Sequence, residues 1–196
     1  AEHIRATFTP LILEKTITAT TRKSISAGSN LSLWQPYQVT VTPDRPVVEA
    51  QKTLFNLVSC DSGFEQEFSD FCDYANDVVS FAKNAGPQKL MIDYQTPTGN
   101  RALYVPDFFV NTGRKLTYLV ELKGRVDPLV PIKARAALDW CKTSSTSEMK
   151  WEYVYVPYQI FSASAPSAME ELARACAPSL AGIINEAKTQ QLQLPP

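Results

Sequence analysis

The chain has 196 residues, 44% of them hydrophobic, and a formal net charge of −1. That is enough chain to bury an ordinary core, and it leaves no global basic field, so any polyanion would have to be gripped by local patches or by another chain or domain. No apolar run reaches the ~18 residues of a membrane span, and a lone histidine, His3, argues against histidine catalysis and histidine-rich metal sites.

The N-terminal stretch reads differently from the rest, and residues 1–54 are expected to form a small β-rich appendage, or a linker or tail of a preceding domain. Thr16 to Thr21 (TITATT) and Tyr37 to Thr42 (YQVTVT) have strand composition, separated by the loop SISAGSN and punctuated by Pro36, Pro43 and Pro46. Organised structure is expected from Val47 to Leu57, followed by a helix from about Gly63 to Tyr74. Ser62 and Glu65 have capping-box spacing, and Phe64, Phe68, Phe71 and Cys72 recur at helical spacing as the buried stripe. Glu65 has two readings: it closes the cap, or it leans over the sheet as a third carboxylate. A second, short helical piece is expected over Asp77 to Lys83, ended by Gly86 and Pro87.

Three strands follow as an expected meander, over residues 89–95, 101–110 and 116–123. The stretch Tyr104 to Gly124 (YVPDFFVNTGRKLTYLVELKG) organises the whole. Its turn carries Asn111, Thr112 and Gly113, and a hairpin centred near Arg114 sets Val110 opposite Tyr118 and Phe108 opposite Val120. Asp107 then faces Glu121, and opposed residues on one face of such a pair have Cβ atoms about 4.5–5.5 Å apart. Two carboxylates that close repel unless a proton or cation lies between them. Lys123 projects from the same face as Glu121, while Val120 and Leu122 point into a core. A solvated strand face can carry the same three charges, and a surface Lys–Glu pair is worth under roughly 1 kcal/mol. Here, however, the acids are embedded in apolar runs where charge is expensive. Pro106 suggests a bulge or edge beside Asp107.

After Gly124 and a polar loop, a helix is expected from about Ile132 to Lys142, with Lys133, Ala136, Ala137 and Trp140 on one face. Lys133 either reaches toward the Glu121/Lys123 end or snorkels from an apolar face. Lys150 to Val156 (KWEYVYV) is expected as a strand added in parallel after this crossover. Ser167 to Lys188 reads as an amphipathic helical segment broken near Pro178, and Gln190 to Pro196 as a frayed tail. The four cysteines (60, 72, 141 and 176) lack CxxC spacing and suit buried, reduced thiols.

Helix, three strands, helix and strand, with Pro106-Asp107 on the second strand and Glu121-Leu122-Lys123 on the third, resembles the PD-(D/E)XK nuclease superfamily. The stretches NLVSCDSGFEQEFSDFCDYANDVVSFAKN, IDYQTPTGNRALYVPDFFV, YLVELKG and KARAALDWC are similar to the C-terminal endonuclease domain of type III restriction enzyme Res subunits. The resemblance implies an α/β fold: a restriction-endonuclease-like αβββαβ core with a central mixed sheet flanked by helices. That core would span 55–165, after the appendage at 1–54 and before a C-terminal helical segment and tail at 166–196. It also implies Mg²⁺, replaceable by Mn²⁺, on Asp107 and Glu121, with Lys123 catalytic and Glu65 and Lys133 supporting. DNA would be the substrate. A DEAD/DEAH-type helicase motor would be the partner, as no G-x-x-x-x-G-K-[ST] occurs here, and a methyltransferase subunit is compatible. A bacterial or phage-encoded cytoplasmic protein is expected.

The chemistry follows from the residues as well. A hard cation takes oxygen ligands, and Asp107, Glu121 and the Leu122 carbonyl supply them. Lys123 would orient or deprotonate the attacking water, or stabilise the charge of the transition state. The alternative function is a non-catalytic nucleic-acid-binding or assembly domain that kept a nuclease fold; a third is a metal-dependent enzyme on RNA or branched DNA.

Overall fold

A computed structural model describes residues 35–43, 45–124 and 127–192, with side chains to 185. In chain order the elements are β1 (Val47–Glu49), β2 (Leu57–Ser59), α1 (Gly63–Tyr74), β3 (Ser80–Lys83), β4 (Ile92–Gln95), β5 (Arg101–Tyr104), β6 (Phe108–Asn111), β7 (Leu116–Lys123), α2 (Val130–Ser144), β8 (Lys150–Pro157), α3 (Tyr158–Ser164) and α4 (Met169–Leu192). The protein is mixed α/β. Its central four-stranded sheet runs β3-β6-β7-β8; β1-β2 and β4-β5 are separate two-stranded ribbons. The pairs β3–β6 and β6–β7 are antiparallel and β7–β8 is parallel.

Helices cover both faces of this sheet. On one face the α1 stripe (Phe68 and Cys72, with Phe64 and Phe71 at its border) meets Phe108, Val110, Tyr118, Val120 and Val156. On the other, Val130, Ala134, Ala137 and Cys141 of α2 meet Phe109, Leu119, Tyr153 and Tyr155. The two alanines let α2 lie close to the sheet. With both faces covered, β7 is buried along all but its end residues and reads as a nearly continuous apolar run. Fully burying an aromatic or aliphatic side chain is worth about 1.5–3 kcal/mol, so each charged residue on β7 forgoes a gain of that size.

The hairpin register is the expected one: Phe108 pairs with Val120 and Val110 with Tyr118. Its turn needs Gly113, at φ +71°, where an added Cβ would come within 2.8 Å of Val79 Cγ2. The parallel addition of β8 also stands.

Other expectations are corrected. Asp77 to Lys83 is not helical: Ser80–Lys83 is an edge strand, with Phe81 opposite Val110 and Lys83 opposite Phe108. The short run VVSFAK suits either period, and pairing with β6 decides it. The three-strand meander changes in two members: β3 takes the place expected of 89–95, and the expected strand 101–110 is split into β5 and β6, with Asp107 between them. β4 and β5 pair only with each other, as a ribbon inserted between β3 and β6. Tyr37–Thr42 forms no strand; its one bridge is Thr42 with Arg45. The expected strand at 16–21 lies outside the described residues, as do residues 193–196 of the expected tail, whereas 190–192 still belong to α4.

Residues 46–54 are tied into the core rather than hanging from it. β1 pairs with β2, Leu54 N–H donates to the Phe81 carbonyl, and Phe81 N–H donates to that of Lys52. A short helix, α3, follows β8 directly. α4 runs on through Pro178 without a break; its first half (Met169, Leu172, Cys176) joins one core and Leu180, Ile183 and Ile184 border the other. Among the described residues no helix is long and apolar enough to cross a membrane.

Asp77, in the turn before β3, caps α4 from 92 residues away: its carboxylate accepts from Met169 N–H at 2.7 Å and Glu170 N–H at 2.9 Å. Asp77→Ala is expected to cost about 1–2 kcal/mol in urea unfolding, the value of a lost helix cap, with the unfolding slope unchanged. All four cysteines are free and buried, as expected. Burial pushes Cys141 up to about 12 and Cys176 up to about 11, so neither is a nucleophile at neutral pH.

Candidate metal and phosphodiester site

Asp107 lies just before β6, where Pro106 has no N–H to give the ladder. Its own N–H donates to the Val120 carbonyl at 2.9 Å. Val120 is the partner of Phe108, so the pairing is offset by one residue, as in a β-bulge. Asn84, buried at the end of β3, fastens this kink. Its N–H donates to the Asp107 carbonyl at 2.8 Å, and its side-chain amide donates to the carbonyls of Pro106 at 2.8 Å and Leu90 at 2.9 Å. The amide oxygen accepts from Leu90 N–H at 2.7 Å. The Asp107 carboxylate turns to β7, where Oδ2 accepts from the Leu122 N–H at 2.7 Å. The Leu122 side chain is buried, as expected, and its carbonyl lies on the same side of the strand as its N–H.

Glu121 is 8% exposed on the α2 side of the sheet. Its Oε2 accepts from the Tyr104 hydroxyl at 2.9 Å, and its Oε1 lies 3.7 Å from Lys123 Nζ. Tyr104 Oη is in turn 3.3 Å from Tyr153 Oη. Asp107, held on the Leu122 N–H, and Glu121, the residue before Leu122, lie close enough for each to act on the other's charge. Burial, then the Glu121 charge, holds the Asp107 carboxyl well above the usual carboxylate range. Burial also raises Glu121, against the pull of the Tyr104 hydroxyl, Lys123 and Lys133. Burial lifts Tyr104 and Tyr153 well above the ordinary phenol value, so both hydroxyls stay protonated and can donate.

The expected convergence of Asp107, Glu121 and Lys123 is therefore present. Lys133, in the first turn of α2, joins through a residue the sequence reading passed over. Asp127 Oδ2 accepts from Lys133 Nζ at 2.8 Å and stands 3.5 Å from Lys123 Nζ. The Lys133 hydrogen bond, then the Leu129 N–H, holds Asp127 at about 2. The expected helix face is rotated: Ala134, Ala137 and Cys141 are buried, while Lys133, Ala136 and Trp140 flank them. The signal for Asp127 was its place four residues after Lys123 and six before Lys133, but a loop aspartate so spaced is common.

Glu65 is buried at the start of α1, where the capping reading is met in part and the carboxylate is taken up by Lys83. Its N–H donates to Ser62 Oγ at 3.2 Å, as a capping box requires. The carboxylate does not close the box on Ser62 but accepts from Asp61 N–H at 2.6 Å and from Lys83 Nζ. Lys83 also contacts Asp61 Oδ2 at 2.8 Å. Burial works against the Lys83 charge, but Glu65 and Asp61 outweigh it and its pKa stands above the ordinary lysine value. Glu65 and Lys83 both act on Asp107 through space, with opposite signs. Glu65 is thus matched to an ammonium on the strand beside Asp107. Lys83→Met leaves a buried carboxylate unpaired and is expected to cost about 3 kcal/mol in urea unfolding, whereas the double change Lys83→Met/Glu65→Leu should recover most of that.

The donors present suit a hard divalent cation: two oxygen ligands whose mutual repulsion such an ion would relieve. Among the described residues no group of three or more His, Cys, Asp or Glu side chains is arranged to hold a metal, so Asp107 and Glu121 would share the ion with solvent, substrate oxygens and the Leu122 carbonyl. Mg²⁺ characteristically keeps several waters and takes one or two carboxylates. Compared with known proteins, the chain matches no family model, no curated protein and no solved structure.

Proposed function

We propose that this chain is a Mg²⁺-dependent DNA endonuclease domain that hydrolyses phosphodiester bonds, with Mn²⁺ able to substitute. The observation that carries the reading is that three charged groups gather at one end of β7: Asp107 Oδ2 on the Leu122 N–H at 2.7 Å, Glu121 one residue before it, and Lys123 Nζ 3.7 Å from Glu121 Oε1. A buried Glu121 beside a part-buried Asp107 is costly in a resting protein, and a site that binds a cation explains their retention. The order of elements around the central sheet (α1, β3, β6, β7, α2, β8) also supports a restriction-endonuclease-like core, with the β4–β5 ribbon as an insertion.

In this reading a bound cation would neutralise charge on the scissile phosphate and acidify an attacking water. Asp107, braced by Asn84 and the Leu122 N–H, presents its remaining oxygen to that cation. Glu121 does the same through Oε1. Lys123, kept near Glu121 and Asp127, orients the water or offsets the charge that builds up on the phosphoryl oxygens. Lys133 holds Asp127 and so limits how far Lys123 can swing. Glu65 and Lys83 support the Asp107 side as a neutralised pair.

With a net charge of −1, the domain has little grip of its own on a polyanion. Delivery by a helicase or ATPase motor, as in a type III restriction-like system with a methyltransferase subunit in the cytoplasm, fits that balance. The test is nicking or cleavage of supercoiled plasmid with Mg²⁺ or Mn²⁺ by the parent, Asp107→Ala and Lys123→Ala. Metal-dependent cleavage by the parent that both variants lose is expected; a variant that cuts as well as the parent overturns the assignment.

A further inference from the structure

Tyr104 ends β5, a strand that does not belong to the central sheet, and yet its hydroxyl reaches a carboxylate on β7. The ring is 4% exposed and packs in the core between the sheet and α2. A buried hydroxyl needs a partner, and this one has two: it donates to Glu121 Oε2 at 2.9 Å and lies 3.3 Å from Tyr153 Oη. Rotation of the Glu121 carboxylate is restrained by that bond. Oε2 is held on the Tyr104 side, and Oε1 is left toward Lys123, 3.7 Å away. On the other acid the Leu122 N–H holds Asp107 Oδ2 in the same manner.

We propose that Tyr104 is a positioning residue for Glu121, fixing the carboxylate so that Oε1 rather than Oε2 is offered to a divalent cation. The inference rests on the metal-dependent reading above and adds to it a role for the β4–β5 ribbon, which carries this hydroxyl to the site. Tyr153 acts one step further out, through Tyr104. Groups that orient metal-binding side chains in this way typically matter 10–100-fold in affinity.

The experiment is Mn²⁺ binding to the whole chain by calorimetry, for the parent, Tyr104→Phe, Tyr153→Phe and Glu121→Gln, with Tm recorded for each metal-free protein. Tyr104→Phe removes one oxygen and keeps the buried ring. Its Mn²⁺ Kd is expected to rise about 10–100-fold, with a smaller rise for Tyr153→Phe and loss of binding for Glu121→Gln. A merely structural hydroxyl would lower the Tm and leave Kd unchanged, and that result overturns the proposal while the metal reading stands. A parent that binds no Mn²⁺ overturns both. Equal losses in Tyr104→Phe and Tyr153→Phe would also overturn it, since the effect would then belong to the tyrosine pair rather than to the hydroxyl on Glu121.

Discussion

Asp107→Asn should melt at a higher temperature than the parent at neutral pH and should lose the shift that Mn²⁺ gives the parent. The reasoning starts from proton linkage. Asp107 and Glu121 both hold protons more tightly in the folded protein than ordinary carboxyls do, through burial and, for Asp107, the Glu121 charge. Between the unfolded carboxylate value near ~4 and the raised folded values, the native state binds more protons than the unfolded chain. Stability therefore falls as pH rises through that window, and the loss is complete above the folded values. Asparagine keeps an oxygen to accept from Leu122 N–H and removes the ionising group, so the variant gains stability at neutral pH, read as a rise in Tm. A cation reverses the same penalty in the parent. At 100 times its Kd it would stabilise by about 2.7 kcal/mol, with the full effect at pH 8 and much less at pH 5, where protons compete for the acids. Thermal unfolding at both pH values with and without Mn²⁺ checks each part. A variant less stable than the parent at pH 8, or one that keeps the Mn²⁺ shift, would show that the two carboxyls are not a strained metal pair.

Lys123→Ala is expected to separate binding from chemistry. The ammonium is 21% exposed in its side chain and sits 3.7 Å from Glu121 and 3.5 Å from Asp127. It is close enough to the acids to act on a water or phosphate beside them, but as a cation it repels a metal rather than ligating it. Its removal should leave Mn²⁺ affinity equal to or slightly better than the parent's and lower the cleavage rate about 10²–10⁴-fold, the range for a positioned acid–base or charge-stabilising group. Lys133→Ala, which acts on Lys123 through Asp127 and on Glu121 only through space, should cost far less. Single-turnover cleavage at saturating Mn²⁺, set beside calorimetric Kd values, measures both quantities. If Lys123→Ala weakened Mn²⁺ binding and left the rate at saturating metal intact, Lys123 would be a structural partner of Glu121 rather than part of the chemistry.

How much of this site could be read from the chain depended on separation in sequence. The register that sets Phe108 opposite Val120, and so brings Asp107 to the Glu121–Leu122 end of β7, needed only the two-residue period of strands and a turn at Gly113, because a hairpin's register is set locally. The burial of Glu121 was legible too, from the apolar run around it, whereas Asp107 keeps partial exposure. Tyr104 stood three residues before Asp107 in plain view, but nothing local says that its ring crosses to β7. Lys83 fell within a run read as helical, so its pairing with Glu65, 18 residues earlier, was out of reach. Asp77 is the extreme case, capping a helix that starts 92 residues later.

The amino-acid order alone thus determined the β6–β7 hairpin, its register, Glu121 and Lys123 on one face of β7 with Asp107 near them, the α1 cap and stripe, and the parallel return of β8. Each follows from periodicity, turn chemistry or a crossover rule that acts over a few residues. Tertiary structure alone decided that Ser80–Lys83 is the edge strand beside β6, that β4–β5 is a ribbon outside the sheet, and that Asn84, Tyr104, Lys83 and Asp127 surround the acids. A four-residue apolar strand carries too few side chains to announce its period. A hydrogen bond between distant residues exists only once the sheet has brought them together, and so the acids could be found in the sequence while the groups that hold them could not.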